Sequence, residues 1–185
     1  GKFRRQRQMC IRDSNNLLDT YMNFLLTGGA GYIGSHAALS LLDAGHSVHI
    51  IDDLSTGNRS LIPKNAFFTK CNINDEEVIS ELIKSNSFDL LMHFAGFIQV
   101  EESVKYPKKY FDNNTENATK LFETCKNNGL NKIVFSSTAA AYGSVSENKL
   151  IDENTNLNPQ NPYAESKIKT ENFLFENKHE YKFII

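Results

Sequence analysis

The sequence contains few of the features that would assign it to a specialised class of protein. Only three of its 185 residues are cysteines, and Cys10, Cys71 and Cys125 are far apart. Their odd number and wide spacing predict no disulfide framework, redox dithiol or zinc site, and a reduced cytoplasm is the compartment that fits best. No apolar run approaches the ~20 residues of a transmembrane helix, so no membrane partner is expected.

Excess charge and clustered metal ligands are also missing. The formal net charge is -2, with 23% charged and 40% hydrophobic residues, as in an ordinary soluble globular protein. Without a basic excess, nucleic acid is not a predicted partner. The five histidines are scattered, so no metal site is expected, and His93 is interpreted as a satisfied near-core residue at the end of an apolar strand.

The first 20 residues differ from the rest of the chain. They are basic, and no apolar stretch follows them, so they do not form a secretory signal. We expect residues 1–20 to be a disordered or artefactual tail, with Met22 as the natural start of the protein. The length then suits one domain over residues 21–185.

A glycine-rich stretch follows the first predicted strand, which includes residues 24–26. Its glycines are Gly28, Gly31 and Gly34. They suit a loop that turns sharply, approaches a pyrophosphate and packs the next helix closely on the strand. A second strand, residues 47–51, is followed by Asp52, where an acidic residue would bind an adenosine ribose. The unit predicts a dinucleotide site; the alternative is a βαβ unit whose glycines serve chain geometry alone.

Strands and helices alternate along the rest of the chain. Further strands are predicted near residues 66–70, 88–94, 132–136 and 181–185, and helices near residues 76–85, 107–127 and 163–177. Asp75 is a suitable N-cap for the first of these helices, and Gly129 suits the end of the second. The alternation predicts an α/β fold, a Rossmann-type doubly wound parallel sheet with its ligand at the carboxyl ends of the strands.

Tyr163 and Lys167 are four residues apart in a predicted helix, so they project from one face. A free tyrosine, with a pKa near ~10, is a poor base at neutral pH. Lowering that pKa by ~3 units takes ~4 kcal/mol, comparable with one ammonium at ~4 Å in an effective dielectric of ~20. Thr138 follows a predicted strand and could hydrogen-bond the substrate oxygen that Tyr163 deprotonates. Taken singly, an exposed helix face and strand-end capping are the alternatives.

Together these motifs resemble those of the extended short-chain dehydrogenase/reductases and, within that family, the UDP-glucose 4-epimerases. The resemblance covers residues 22–185. It is carried by residues 27–36 (TGGAGYIGSH), 94–96 (FAG), 102–103 (ES), 112–114 (DNN), 136–143 (SSTAAAYG) and 163–167 (YAESK). It implies a Rossmann-type NAD-binding domain, incomplete and truncated before a small C-terminal substrate domain.

The resemblance also implies NAD as the cofactor and a UDP-sugar as the substrate. Tyr163 would be the base, Lys167 would tune it and hold the nicotinamide ribose, and Thr138 would hold the sugar. The implied cofactor-binding residues are Gly28, Gly31, Tyr32, Ile33, Gly34, Asp52, Asp53, Leu54, Ser55, Thr56, Gly57, Asn72, Ile73, Phe94, Ala95, Gly96, Asn113 and Lys167. Hydride transfer from C4 to NAD and back to the other face of a 4-keto sugar would interconvert UDP-glucose and UDP-galactose, a step of galactose metabolism.

Two positions depart from the epimerase pattern. Ile98 stands where the resembling epimerases usually carry a lysine, and Asn72 stands where they usually carry an aspartate. An amide can still accept a hydrogen bond from adenine, so Asn72 changes little. Ile98 removes a positive charge near the cofactor or the sugar diphosphate, which leaves glucose, N-acetylglucosamine and pentose substrates open.

Other members of the superfamily supply the alternatives. A nucleotide-sugar 4,6-dehydratase would carry an Asp-Glu pair where this chain has Ala139 and Ala140, so it is disfavoured, as is a decarboxylase. A catalytically silent dinucleotide-binding protein is the alternative of another class. The resemblance implies a possible homodimer through helices around residues 101–128 and 163–177. The chain as given is expected to hold NAD weakly and not to turn over substrate.

Overall fold

A computed structural model describes residues 21–144 and 150–185, and the predicted tail over residues 1–20 lies outside the described part. The strands are β1 (Asn23–Thr27), β2 (Ser47–Ile51), β3 (Phe67–Thr69), β4 (Leu90–His93), β5 (Lys132–Phe135) and β6 (Lys182–Ile184). The α-helices are α1 (Tyr32–Asp43), α2 (Glu76–Ser85), α3 (Val100–Lys105), α4 (Pro107–Tyr110), α5 (Ala118–Asn127) and α6 (Pro162–Glu176). Two 3-10 helices (Arg59–Leu61 and Ala139–Tyr142) and a π-helix (Phe111–Asn117) complete the described elements.

The six strands form one sheet in the order β3-β2-β1-β4-β5-β6, and every pairing is parallel. The predicted doubly wound sheet is therefore confirmed. The chain runs outward in one direction from β1 to β3, then crosses back to place β4 on the other side of β1. Ligands of such sheets bind at this switch point, beyond the carboxyl ends of β1 and β4.

The sheet is covered on both faces, which explains the nearly continuous apolar character of its central strands. In β1, Phe24 and Leu26 face one layer, together with Ala38 of α1. Leu25 faces the opposite layer, where α2, α5 and α6 supply residues such as Leu121 and Leu174. This two-sided core fixes the strand ends that carry the candidate site.

The helix boundaries follow from local capping. The side chain of Asp75 accepts a hydrogen bond from the Val78 N–H at 3.3 Å, which confirms the predicted N-cap of α2. Gly129 ends α5 with φ of 89°, the left-handed conformation that favours glycine. Asn161 caps α6 by accepting from the Ala164 N–H at 2.9 Å, and the helix begins at Pro162.

The helical stretch predicted from Pro107 to about residue 127 is present, but a π-helix that was not predicted separates α4 from α5 within it. The wider turn presents Asn114 to the chain segment after β4, where its amide bonds both the N–H and the C=O of Phe97. The Thr170 hydroxyl of α6 donates to the Asn114 carbonyl at 2.7 Å. These hydrogen bonds join Asn114 to residues that are distant in sequence, so apolar periodicity alone did not reveal the π-helix. The short α3 lies in the region around residues 101–128 where the resemblance implied helices.

Candidate functional site

The glycine loop lies between β1 and α1 and packs against the segment that follows β4. Gly28 has φ of 73°, and a Cβ on it would lie 2.5 Å from the Ala95 nitrogen. A Cβ on Gly34 would lie 2.3 Å from the Gly28 carbonyl oxygen, so α1 approaches the loop too closely for any side chain there. At Gly31, the N-cap of α1, a Cβ would meet only that same oxygen, at 3.3 Å. The loop therefore has the tight turn and close packing that its spacing predicted.

The first turn of α1 lies at the surface. Tyr32 is 77% and Ile33 is 60% exposed, and the Tyr32 ring packs on His36 with 4.7 Å between ring centroids. The first N–H groups of a helix have no intrahelical acceptor, so they and the helix dipole favour an anion beside Gly31. The arrangement can hold a phosphate group of a nucleotide.

Asp52 follows β2 and reaches back to the glycine loop. Its Oδ2 accepts from the Ala30 N–H and its Oδ1 from the Leu54 N–H, each at 2.9 Å. A Cβ on Gly57 would lie 2.8 Å from both Asp52 Oδ1 and the Ala30 Cβ, so the loop after β2 also folds against this corner. The structure thus brings together the predicted phosphate-binding loop and the predicted ribose-binding carboxylate.

Leu54 has a backbone conformation that the sequence analysis missed. Its φ of 61° lies in the left-handed region, which is unfavourable for a bulky residue. The hydrogen bond from its N–H to Asp52 holds the turn. An aspartate that bonds the N–H two residues ahead is a recognised turn signal, and Asp52 could have indicated this turn.

A second carboxylate lies at the same end of the site. Asp53 accepts from the Ser55 N–H and from the Asn72 amide, each at 2.8 Å. Burial alone would raise the pKa of Asp53, but these hydrogen bonds outweigh it and hold the pKa below its usual range. The Asn72 oxygen accepts from the Asn74 N–H at 3.2 Å, while the Ile73 side chain is buried in the core. Only the main chain of Ile73 is therefore available to an adenine ring.

Lys167 lies at the other end of the site, on α6. It is 5% exposed, and its Nζ lies 3.9 Å from the Cβ position of Gly96 and 4.3 Å from the centroid of the Phe135 ring. Burial lowers the pKa of Lys167 to about 8, and the charge of Glu171 opposes that shift. The Ser137 hydroxyl donates to the Glu171 carboxylate. Gly96 follows Ala95, which packs on Gly28, so the ammonium faces the segment that packs against the glycine loop.

Tyr163 lies one turn before Lys167 on α6 and is half-buried. Its ring meets the Tyr110 ring at an interplanar angle of 78°, with 6.4 Å between centroids. Thr138 ends the segment after β5, and its Oγ1 accepts from the Ala140 N–H at 3.1 Å. That bond is the capping role considered for Thr138, and it leaves the hydroxyl hydrogen to donate to a substrate.

Asn114, which the sequence analysis passed over in favour of Asn113, is the more deeply buried of the two. Its Oδ1 accepts from the Phe97 N–H at 2.8 Å and its Nδ2 donates to the Phe97 carbonyl at 2.9 Å. Its Nδ2 also lies 3.2 Å from the Ser166 hydroxyl of α6. Asn113 donates to Asn114 Oδ1 at 3.1 Å. The pair joins the segment after β4 to the helix that carries Tyr163.

His93 lies in the core, as expected, but only one of its ring nitrogens is paired. Its Nδ1 is 2.7 Å from the Thr27 hydroxyl, and its ring stacks on Phe135. Its Nε2 has no partner among the described residues, contrary to the expectation of a fully satisfied ring. Burial, with a contribution from Lys167, lowers the pKa of His93 to about 3, so the ring is neutral.

Residues 21–144 and 150–185 lack two other kinds of feature. No helix in that part of the chain is both long and apolar enough to cross a membrane. Nor do its histidine, cysteine, aspartate and glutamate side chains form a group of three or more that could hold a metal ion. The geometry that the structure does provide is a cradle for a dinucleotide.

Known proteins share this arrangement. A model of the NAD dependent epimerase/dehydratase family matches residues 24–185. The chain is 45% identical over 150 residues to a UDP-glucose 4-epimerase of Azospirillum brasilense, covering 81% of this chain and 43% of that protein. It is similar to the crystal structure of the Thermus thermophilus UDP-glucose 4-epimerase complex with NAD, with a TM-score of 0.83, 34% identity and coverage of 88% of this chain and 53% of that one. The UDP-Glc/GlcNAc 4-epimerase of Campylobacter jejuni superposes with a TM-score of 0.81, 38% identity and coverage of 88% and 51%. The chain spans less than half the length of the first curated relatives that it matches.

Proposed function

The chain belongs to the NAD dependent epimerase/dehydratase family, and on that premise we propose that it is the NAD-binding part of a UDP-glucose 4-epimerase. The reaction would interconvert UDP-glucose and UDP-galactose. The observation that carries the proposal is the burial of the Lys167 ammonium beside Gly96, one helical turn from Tyr163. Curated relatives at 45% and 40% identity with this activity support it.

The proposed cofactor is NAD, and the residues of the site fit it. Gly31 leaves space for a pyrophosphate in front of the free N–H groups of α1. Asp52 would accept hydrogen bonds from the adenosine ribose, and its negative charge disfavours the 2′-phosphate of NADP. Arg59 is the nearby cation that could favour that phosphate, but its guanidinium lies 4.7 Å from the centroid of the Phe68 ring. At the other end, Lys167 would bond the nicotinamide ribose.

When bound, NAD would supply the hydride acceptor and donor at C4 of the sugar. Tyr163 would accept the proton of the 4-hydroxyl group as C4 is oxidised, and would return a proton when the 4-keto group is reduced on its other face. The Lys167 ammonium would favour the phenolate form of Tyr163. A pKa of about 8 leaves Lys167 mostly charged at pH 7. Thr138 would donate its hydroxyl hydrogen to the same sugar oxygen.

The domain limits, the location and the assembly are parts of the same proposal. We assign the NAD-binding domain to residues 21–185, apart from a tail over residues 1–20, in a cytoplasmic protein. Exposed apolar side chains on the two predicted contact regions support a homodimer, namely Val104 and Tyr106 at α3 and after it, and Phe175 on α6.

The function can be tested in a chimera, because this chain spans less than half the length of its curated relatives. Residues of this chain would replace the matched segment of the A. brasilense relative, and the chimera would be incubated with UDP-galactose carrying deuterium at C4. We expect UDP-glucose that retains the deuterium at C4, and a loss of about 100-fold or more in rate for the Tyr163→Phe chimera.

The other outcomes identify the rival functions. A 4-keto-6-deoxy product would indicate a dehydratase. Binding of NAD without turnover, or a Tyr163→Phe chimera with an unchanged rate, would contradict the catalytic assignment and favour a silent dinucleotide-binding protein. The untouched A. brasilense enzyme is the positive control for the assay.

A further inference from the structure

Tyr110, at the end of α4, is completely buried and packs edge-on to the proposed base. The centroid of its ring lies 6.4 Å from that of Tyr163 and 5.8 Å from that of Phe97. Aromatic pairs at such separations and angles attract one another through their quadrupoles. Tyr110 therefore forms part of the wall against which the Tyr163 ring rests.

The Tyr110 hydroxyl both donates and accepts a hydrogen bond. Its oxygen accepts from the Gln99 N–H at 3.1 Å, and its hydrogen is donated to Glu102 Oε2 at 2.9 Å. The other oxygen of Glu102 pairs with the Lys109 ammonium at 2.7 Å. A ring tied at its far end by two hydrogen bonds has a fixed position and a fixed plane, so the wall beside Tyr163 is rigid.

The protonation states of Glu102 and Tyr110 favour their hydrogen bond at neutral pH. Hydrogen bonds from Lys109 and Tyr110 lower the pKa of Glu102, so this carboxylate is ionised and is an acceptor only. Burial, together with the Glu102 carboxylate, raises the pKa of Tyr110 to about 12, so its phenol keeps the proton that it donates. Tyr110 is thus a neutral support beside Tyr163 and is not a second base.

Among the described residues, Tyr163 lacks the kind of hydrogen-bond restraint that holds Tyr110. Its phenol makes no hydrogen bond to any of the described residues, and Tyr110 is its one close aromatic neighbour among them. A catalytic group must stay within about 0.5 Å of its productive position. We propose that Tyr110, locked in place by Glu102 and the Gln99 main chain, is a positioning residue for the Tyr163 ring. The catalytic meaning of this role rests on the proposed function, whereas the positioning itself does not.

The test reads the environment of Tyr163 in the absence of cofactor and substrate. The chain would be labelled with 13C at the tyrosine Cζ atoms, and the Tyr163 resonance would be assigned with Tyr163→Phe. In Glu102→Ala, the Tyr110 hydroxyl loses its acceptor, and we expect the Tyr163 resonance to shift toward that of free tyrosine. Glu101→Ala, an exposed neighbour on α3, is the matched control and is expected to leave the resonance in place.

Variants of Tyr110 separate the ring from its hydroxyl. Tyr110→Leu is expected to move the Tyr163 resonance most, Tyr110→Phe to restore part of the parent position, and the exposed control Tyr106→Phe to change nothing. An unmoved Tyr163 resonance in Glu102→Ala with an unchanged unfolding midpoint would overturn the proposal, even if Tyr110→Leu failed to fold. This readout is independent of epimerase activity, so the positioning role and the proposed function can fail separately.

The chimera supplies the kinetic readout. A positioning role predicts that Glu102→Ala lowers kcat about tenfold or more while KM for UDP-galactose changes little, because only the alignment of the base is lost. Glu101→Ala should match the parent in both constants. Equal losses in kcat for the two glutamate variants would contradict a specific role for Glu102 and Tyr110.

Discussion

At the scale of single residues, the glycines of the first loop have different tasks. Gly34 is required by packing, because its Cβ position lies 2.3 Å from a main-chain oxygen of the loop. Gly31 has an ordinary φ of -87° and has room for a methyl group at the cost of one tight contact of 3.3 Å. The proposed NAD site would therefore account for glycine at this position better than packing within the fold does.

This difference predicts that the same substitution affects stability at Gly34 and ligand binding at Gly31. Gly34→Ala should lower the free energy of unfolding by about 1–3 kcal/mol, because the backbone must move to admit the methyl group. Gly31→Ala should lower the free energy of unfolding by no more than about 1 kcal/mol, because alanine is a poorer N-cap residue than glycine, and should weaken NAD binding. Urea unfolding and NAD titration of both variants would check this. Equal destabilisation by the two substitutions would contradict the division of roles.

The burial of Lys167 predicts how the stability of the protein depends on pH. Its pKa of about 8 in the folded protein lies below the ordinary 10.5, because burial disfavours the ammonium. The unfolded chain therefore keeps the Lys167 side chain protonated to a higher pH than the folded chain does. Below pH 8 the buried ammonium lowers the free energy of unfolding by its full amount, and this destabilisation decreases as the pH rises from 8 to 10.5. Lys167→Met should be more stable than the parent at pH 7, by up to about 3 kcal/mol.

The check is chemical unfolding of parent and Lys167→Met at several pH values from about 7 to about 10, the range that brackets the shifted pKa. The difference in the free energy of unfolding between the parent and Lys167→Met should decrease as the pH rises. Lys178→Met, at an exposed lysine beyond α6, is the control and should show no such trend. A gap that stays constant with pH would mean that Lys167 does not titrate in this range.

Sequence reasoning succeeded at this scale wherever a residue type leaves little choice. Glycine spacing, the position of Asp52 and the Tyr163–Lys167 interval each restrict the geometry of a loop or a helix face. It did not find Tyr110 or Glu102 as supports of Tyr163, because their pairing joins residues that are close only after α3, α4 and α6 have packed. It also could not show that the Ile73 side chain faces the core.

At the scale of elements, the strands and the helical stretch over residues 107–127 were predicted, but the π-helix within that stretch was not. Apolar runs bounded by turn residues mark buried parallel strands, and all six lie where they were expected. The π-helix escaped prediction because its cause is tertiary. Asn114 pairs with the main chain of Phe97, and the Thr170 hydroxyl bonds the Asn114 carbonyl. A π-helix inside a helical segment often marks a functional site, and this one lies beside Gly96.

The π-helix predicts a strong effect of Asn114→Ala. The N–H and C=O of Phe97 would lose their partner in a part-buried position, so the free energy of unfolding should fall by about 2–4 kcal/mol. Asn113→Ala, which removes one bond to the same amide, should cost less than half as much. Thermal and urea unfolding of the two variants provide the comparison. Equal costs would show that Asn114 does not join this segment to the rest of the domain.

At the scale of the whole molecule, the strand order places the two halves of the site at one edge of the sheet. The alternation of strands and helices predicted a doubly wound parallel sheet with its ligand at the carboxyl ends of the strands, and the structure supplies the strand order. Sequence reasoning could not specify the sugar, because Ile98 stands where the resembling epimerases usually carry a lysine. The outermost strands are β3 and β6, and on β6 the Ile184 side chain is 68% exposed.

An apolar edge strand favours association between copies of the chain. Ile184→Lys should reduce concentration-dependent association of these 185 residues and should leave the free energy of unfolding within about 0.5 kcal/mol of the parent. Light scattering coupled to size-exclusion chromatography would measure it. Unchanged association would indicate that another surface, such as the one around Val104 and Tyr106, is responsible.

The central claim is that one NAD molecule spans the site from Asp52 to Tyr163. The most direct measurement is an intermolecular nuclear Overhauser experiment on the labelled chain with NAD at millimolar concentration, which also detects weak binding. The account predicts contacts from the adenosine ribose to residues 52–57 and from the nicotinamide ring to Tyr163 in the same complex. Contacts at the adenosine end alone, with the nicotinamide far from Tyr163, would contradict it.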